Sequence, residues 1–194
     1  GHTMIVYIKD PQEMSIVANT MDDACGESFD KVARMLGLSY PGGPAIEKLA
    51  KEGKPTVKLP HPVKHEMNRF SFSGLKTAVK QIVDSKKALP QDIAASFQDC
   101  VAKIFKQKVK LLLDQYPVKH LILCGGVFSN QVIRYELSTH LNDINCVFPA
   151  PSLCTDNAAM IGLAASHYKE HFNCFSSFVE CNTRLGLRFP KLNN

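Results

Sequence analysis

The chain has 194 residues, 45% of them hydrophobic and 21% charged, with a formal charge of +5. That size and mixture suit a globular protein of one to one and a half domains with a sizeable core. No apolar run approaches the roughly 20 residues of a membrane span, no signal-peptide pattern is visible, and no repeat or low-complexity tract occurs. The positive charge permits an anionic partner such as RNA without requiring one. Seven cysteines, an odd number without a C-x-x-C pair, point to reduced thiols in the cytosol or an equivalent compartment, not to a disulfide scaffold or zinc knuckle. Cys25, Cys100 and Cys124 stand where a small apolar residue would serve.

From the amino end, Gly1-His2-Thr3 leads into a strand, Met4-Ile5-Val6-Tyr7-Ile8. Asp10-Pro11-Gln12 turns the chain, and residues 14–18 read as a hairpin partner. Residues 22–36 carry Phe29, Val32, Ala33 and Leu36 on one stripe and end at Gly37. This predicts an amphipathic helix with an Asp30–Arg34 pair on its outer face. In Tyr40-Pro41-Gly42-Gly43-Pro44-Ala45-Ile46-Glu47, the glycines permit a sharp turn and Pro44 suits a first helical position. Residues 51–69 are rich in Pro, Lys and His and read as a surface loop. His61 and His65 have the spacing of a metal clamp on a helix, but Pro60 and Pro62 exclude the helix. Phe70-Ser71-Phe72 alternates like an edge strand, and Ser73 is placed to cap the following helix. Pro90 opens a long helix with Ile93, Phe97, Val101, Ile104 and Phe105 in register, running to about Tyr116 before Pro117.

Leu121-Ile122-Leu123-Cys124 is a short apolar run of the kind buried on both faces of a parallel sheet. Gly125-Gly126 ends it, and Val127-Phe128-Ser129-Asn130 leads into a helix carrying Ile133, Leu137 and Leu141 at fourfold spacing. A strand, a glycine pair and a helix start are a common nucleotide cradle: glycine lets the ligand approach the backbone, and the helix offers free N–H groups. A tight structural turn accounts for the glycine pair as well. A second strand, residues 145–148, precedes Ser152-Leu153-Cys154-Thr155-Asp156-Asn157 and the small-residue segment 158–165. There Thr155 or Asp156 would cap a helix reaching residue 169. His167 and His171 lie at its end without the Glu of a zinc-protease motif and read as a solvated helix end. Residues 172–194 show no clear period and read as an extended tail. Strands alternating with helices predict an α/β fold, its mainly parallel sheet flanked by helices and its ligands at the carboxyl ends of the strands.

Several stretches belong together. They are Asp22-Asp23-Ala24-Cys25-Gly26-Glu27-Ser28-Phe29-Asp30-Lys31, Gly42-Gly43, Phe70-Ser71-Phe72-Ser73-Gly74-Leu75-Lys76-Thr77, Asp92-Ile93-Ala94-Ala95-Ser96-Phe97-Gln98, Gly125-Gly126 with Asn130, and Cys154-Thr155-Asp156-Asn157. They closely resemble the family that makes threonylcarbamoyladenosine in tRNA, formerly called O-sialoglycoprotein endopeptidases, from residue 1 to about residue 170. The resemblance implies the two-lobed fold shared by actin, heat-shock chaperones and sugar kinases (ASKHA), with nucleotide between the lobes and a length near twice this one. It implies that residues 1–20 are residual strands of the amino lobe and residues 21–171 the carboxyl lobe. Gly1, Asp30, Gly43, Glu47, Gly125, Gly126 and Asn130 would line the site for ATP, AMP or threonylcarbamoyl-adenylate.

Asp156 would be one ligand of an iron or zinc ion. In the family the others are two His of a His-x-x-x-His motif, upstream of a Ser-Gly-Gly-His-Thr strand; here only the Asp stands, too few donors to fix a transition metal. The implied reaction moves a threonylcarbamoyl group from its adenylate to the amine of the adenosine beside a tRNA anticodon, releasing AMP. Implied partners are tRNA and the accessory subunits of that pathway (TsaB- and TsaE-like in bacteria), in the cytoplasm or an organellar matrix. The chain alone is expected to be inactive and to self-associate through the lobe face left uncovered. The alternative is a non-catalytic nucleotide-binding or scaffold lobe that engages partner subunits. A sugar or acetate kinase is disfavoured because its own motifs are missing, and a peptidase because no Ser/His/Asp or Cys/His arrangement occurs.

Overall fold

The computed structural model describes residues 1–10, 13–63, 65–141 and 144–167. Strands β1 (Met4–Asp10) and β2 (Glu13–Thr20) form the antiparallel hairpin that the sequence predicts. The other edge of β2 pairs in parallel with the short β3 (Arg69–Phe70), giving a sheet of order β1-β2-β3. A second sheet is the parallel pair β4 (His120–Ile122) and β5 (Asn145–Val147). The helices are α1 (Cys25–Met35), α2 (Gly42–Ala50), α3 (Ser73–Ser85), α4 (Pro90–Leu113), α5 (Gln131–His140), the single turn α6 (Pro151–Cys154) and α7 (Ala158–His167). The tail from residue 172 lies outside the described residues.

Helix α4 carries the core. Its apolar stripe repeats through Ile93, Phe97, Val101 and Ile104, all buried, as an amphipathic period requires. Phe97 meets Phe29 of α1 edge to face, ring centroids 4.9 Å apart. Phe105 lies 5.5 Å from Phe70 of β3 and 5.1 Å from Phe128 of the glycine-rich turn. One helix thus sets the first sheet and the glycine turn at a fixed separation.

The structure moves several sequence boundaries, each for a local reason. Helix α1 begins at Cys25, whose N–H donates to Thr3 Oγ1 at 2.8 Å, so Asp22 and Asp23 stand before the helix. Both act across the fold. Asp22 accepts from the Phe72 N–H at 2.8 Å and from the Ser71 hydroxyl at 2.6 Å, capping α3 from outside, while Ser73 makes no capping bond. Asp23 binds Lys31 of α1 at 2.7 Å and Lys76 of α3 at 2.8 Å. Those two hydrogen bonds, Lys31's first, hold the Asp23 carboxyl below its ordinary range against the opposing effect of burial. Pro44 is the third helical residue, not the first, and its missing N–H is still costless within the first turn. Helix α4 stops at Leu113, and Tyr116 beyond it packs on Tyr7 at 5.1 Å.

The largest departure is at β4. A strand buried on both faces was expected, but Ile122 is 63% exposed and Cys124 is also exposed, while Leu123 is buried. A two-stranded sheet with helices on one side only buries alternate residues. Cys25, Cys100, Cys124, Cys146 and Cys154 are all free thiols, and burial pushes Cys100 up to about 11.

Candidate functional site

The site begins where α1 meets α2. A Cβ on Gly42 would sit 2.6 Å from Asp30 Cα and 2.8 Å from the Phe29 carbonyl, so only glycine permits this approach. Asp30 Oδ1 accepts the Gly42 N–H at 2.8 Å and caps α2, whose N-cap residue Pro41 makes no side-chain bond. The carboxylate at the helix's positive end is favourable in itself. This bond replaces the expected Asp30–Arg34 pair; the ion pair on that face of α1 is Lys31–Glu27, at 2.6 Å. The next residue, Gly43, opens on empty space, with nothing within 4 Å of where a Cβ would stand.

One turn along α2, Glu47 Oε1 accepts the Gln131 N–H at 2.9 Å, tying that helix to the start of α5. Asn130 is the N-cap of α5. Its Oδ1 accepts from Val132 and Ile133 N–H at 3.0 Å each, and its Nδ2 donates to Gln98 Oε1 at 2.6 Å. At 7% exposure, Asn130 ties the start of α5 to α4 through these bonds. Among the described residues, Asp30 Oδ2 and Glu47 Oε2 accept no hydrogen bond and remain the available acceptors.

Gly125 adopts φ +97°, a conformation that side chains rarely take, and a 3-10 turn at Gly126–Ser129 follows. Both glycines are exposed. The turn sits between other motifs: Val127 lies 3.6 Å from the Cβ position of Gly26, and Thr155 lies 3.9 Å from that of Gly126. A Cβ on Gly1 would in turn lie 3.7 Å from that of Ala24. Stretches separated by a hundred or more residues therefore border one surface. It runs from Gly1 through Gly26 and the glycine turn to Thr155, with the Asp30–Gly43–Glu47 wall on α1 and α2.

Two residues with structural claims on this surface carried no signal in the sequence. Gln98 was noted within a motif but given no role, and it anchors the Asn130 amide. Arg134, one turn into α5, had none either. Its Nε donates to the Phe128 carbonyl, while one Nη donates to the Pro149 carbonyl at 2.8 Å and to Cys154 Sγ at 3.1 Å. Its guanidinium also lies 5.1 Å over the Phe148 ring. Arg134 thus holds the glycine turn against α6 and fixes where Thr155 and Asp156 emerge.

Asn157, not Thr155 or Asp156, caps α7 by accepting the Met160 N–H at 3.0 Å. Asp156 is exposed, and among the described residues its carboxylate accepts no hydrogen bond. No group of three His, Cys, Asp or Glu able to hold a metal comes together among the described residues. One carboxylate does not fit an iron or zinc centre. The His167 side chain and His171 lie outside the described residues.

Comparison with known proteins identifies the chain's family. The profile of the family described as "TsaD: tRNA N6-adenosine threonylcarbamoyltransferase" matches residues 1–163. A protein of that name from Staphylococcus carnosus is 46% identical over 176 residues, covering 87% of this chain and 51% of its relative. A Streptococcus suis protein of the same name is 43% identical over 171 residues, covering 85% and 51%. The chain therefore spans about half the length of the curated relatives it matches. Among solved structures, HypF from T. kodakarensis superposes with TM-score 0.63 at 22% identity over 77% of this chain and 20% of its own. A full-length HypF in a phosphate- and nucleotide-bound form gives 0.54 at 19% over 78% and 21%. At those identities the likeness speaks for the α/β ASKHA-type fold alone. The match across nearly the whole chain is decisive: this chain belongs to the TsaD family, the tRNA N6-adenosine threonylcarbamoyltransferases.

Proposed function

We propose that the full-length protein transfers a threonylcarbamoyl group from threonylcarbamoyl-adenylate to the exocyclic amine of a tRNA adenosine beside the anticodon. The amine nitrogen bonds to the carbamoyl carbon, the bond from that carbon to the phosphate oxygen breaks, AMP leaves and the amine loses a proton. The supporting observation is the convergence of Asp30, Gly43, Glu47 and the Gly125-Gly126 turn on one surface in a chain of this family. In this reading residues 1–20 belong to the amino lobe and residues 21–171 to the carboxyl lobe, and Gly1 borders the phosphate.

Each residue's role follows from its chemistry. The backbone N–H groups of the glycine turn face the departing phosphate, where fixed dipoles cost no reorganisation. Asp30 Oδ2 and Glu47 Oε2 accept hydroxyl or amine protons of the ribose and adenine. Asn130, Gln98 and Arg134 hold these groups in place, and the geometry does most of the work by aligning the two reactants. When bound, a divalent iron or zinc ion would add charge neutralisation; Asp156 offers one ligand to it. Supplying only one flank of the adenylate site, the 194-residue chain does not turn over by itself.

The partners in this reading are tRNA and accessory subunits, TsaB- and TsaE-like in a bacterium, in the cytoplasm or an organellar matrix. The solitary Asp156 favours a second reading, a non-catalytic nucleotide-binding lobe that serves as a scaffold for partner subunits. One assay separates the two. The full-length protein is incubated with labelled threonine, bicarbonate, ATP, tRNA, the enzyme that forms threonylcarbamoyl-adenylate and the accessory subunits. Modified adenosine detected by mass spectrometry supports transfer; its absence, with nucleotide still bound, supports the scaffold.

A further inference from the structure

Beyond the carboxyl end of α2, the loop at residues 54–58 and the α3–α4 junction enclose a groove of about 470 Å³. Its lining includes the apolar Val57, Ile82 and Leu89 together with Lys58, Lys87 and Asp92. The fold builds this shape deliberately. Lys54 N–H donates to Asp92 Oδ1 at 2.8 Å and Val57 N–H to Ser96 Oγ at 2.9 Å, pinning the loop to α4. Lys86 ends α3 at φ +54°, which turns Lys86 and Lys87 outward at the corner.

Lys58 and Lys87 are exposed, as are Lys54, four residues before Lys58, and Lys86, which adjoins Lys87. None has a carboxylate partner among the described residues, a state they share with Lys48, Lys51, Lys110 and Lys119, whereas Lys9, Lys31, Lys76, Lys80, Lys103 and Lys106 each have one. The only acid on the lining, Asp92, already spends one oxygen on the loop. Two uncompensated cations on the lining, Lys58 and Lys87, with Lys54 and Lys86 in the segments that flank it, make the concavity attractive to a polyanion.

We propose that this groove seats the phosphate backbone of RNA, which rests on the reading above that tRNA is the substrate. Helix α2, about 13 Å long, runs from Gly42 at the candidate site to Ala50, and the loop that lines the groove follows it in the chain. A single tRNA reaches both. Phosphates suit these lysines because an ammonium is a point charge that needs no fixed direction. An acidic peptide fits less well, since the loop's N–H groups at Lys54, Thr56 and Val57 are all engaged and offer no edge for strand pairing.

The test uses the 194-residue chain and a fluorescent anticodon stem-loop RNA, with anisotropy read across a salt series. Lys58→Glu with Lys87→Glu is compared with Lys110→Glu and Lys119→Glu, an equal change of charge elsewhere on the exposed surface. The groove pair is expected to weaken binding at least about tenfold at about 50 mM salt, and the control pair less than about threefold. Lys58→Ala with Lys87→Ala is expected to lower the salt slope by about one to two, at an unchanged unfolding midpoint. Equal losses in both pairs, no loss in either, or no RNA binding by the unaltered chain would overturn the groove. So would polyglutamate that binds more tightly than RNA and needs the same two lysines. The tRNA reading itself fails separately, in the full-length modification assay, where no modified adenosine would form.

Discussion

Around α4, large apolar side chains meet one another: Phe97, Phe70, Phe72, Leu75, Val79 and Ile104 have no exposed surface. Around the second sheet their counterparts are largely exposed. Ile122 is 63% exposed and Leu163 73%, with Val147, Leu153, Met160 and Ile161 exposed between them. The inward face of this second region is ordinary core, contributing Leu123, Ile133 and Leu137. One region therefore completes its own interior, and the other closes only half of one. Exposed apolar area of this kind marks a surface that something covers, in a chain that spans about half its relatives' length. The proposed nucleotide site lies on the seam, with Asp30 and Glu47 from the closed region and the glycine turn from the open one.

The contrast can be broken most forcefully in the closed region. Phe97→Ala removes a fully buried ring that touches Phe29 and is expected to cost about 3–5 kcal/mol, read from denaturant unfolding. Gly42→Ala comes next. Its methyl would meet backbone at 2.6 Å, prising α2 from α1 at about 1–3 kcal/mol and opening the cradle as well. Asp22→Ala strips the external cap from α3 and is expected to cost about 1–2 kcal/mol.

Acid should loosen the same junction. Asp23 lies below its ordinary 3.8 in the folded chain. Its contribution is therefore complete above that value and lost as pH falls through the lower folded one. An unfolding series below about pH 4 is expected to show this loss, and Asp23→Asn to lack the contribution already at neutral pH. The smallest effect belongs to the open region. Ile122→Ser or Leu163→Ser should change stability by less than about 0.5 kcal/mol yet reduce apolar-dye binding and any self-association seen by sedimentation.

The same contrast explains what the sequence revealed. Periodic helices such as α4 and α5 were legible because their stripes, Ile93 to Phe105 and Ile133 to Leu141, meet core in the chain itself. The run Leu121-Ile122-Leu123-Cys124 misled because its composition describes a sheet covered on both sides, and composition cannot report which cover is present. The Asp22-Asp23 doublet read as a solvated helix face because its partners, Phe72 and Lys76, lie some fifty residues away. Candidate site residues came from motifs, which carry no division of labour. Asn130 and Asp30 are both polar residues in glycine-rich surroundings, yet only coordinates separate the amide spent on α5 from the carboxylate oxygen left free. Arg134 escaped because a lone arginine on a helix has no pattern, although it fastens three segments.

The central claim is that the surface beside Gly43 holds a nucleotide, and Gly43→Val tests it most directly. Valine there meets no neighbour within 4 Å of its Cβ, so the fold should tolerate it while the side chain fills the space assigned to the ligand. AMP and ATP are titrated calorimetrically into the full-length protein and its Gly43→Val variant, with unfolding midpoints measured alongside. The account predicts a nearly unchanged midpoint and an affinity at least about tenfold weaker, or about 1.4 kcal/mol. An equally stable variant that binds both nucleotides as tightly as the original would contradict it.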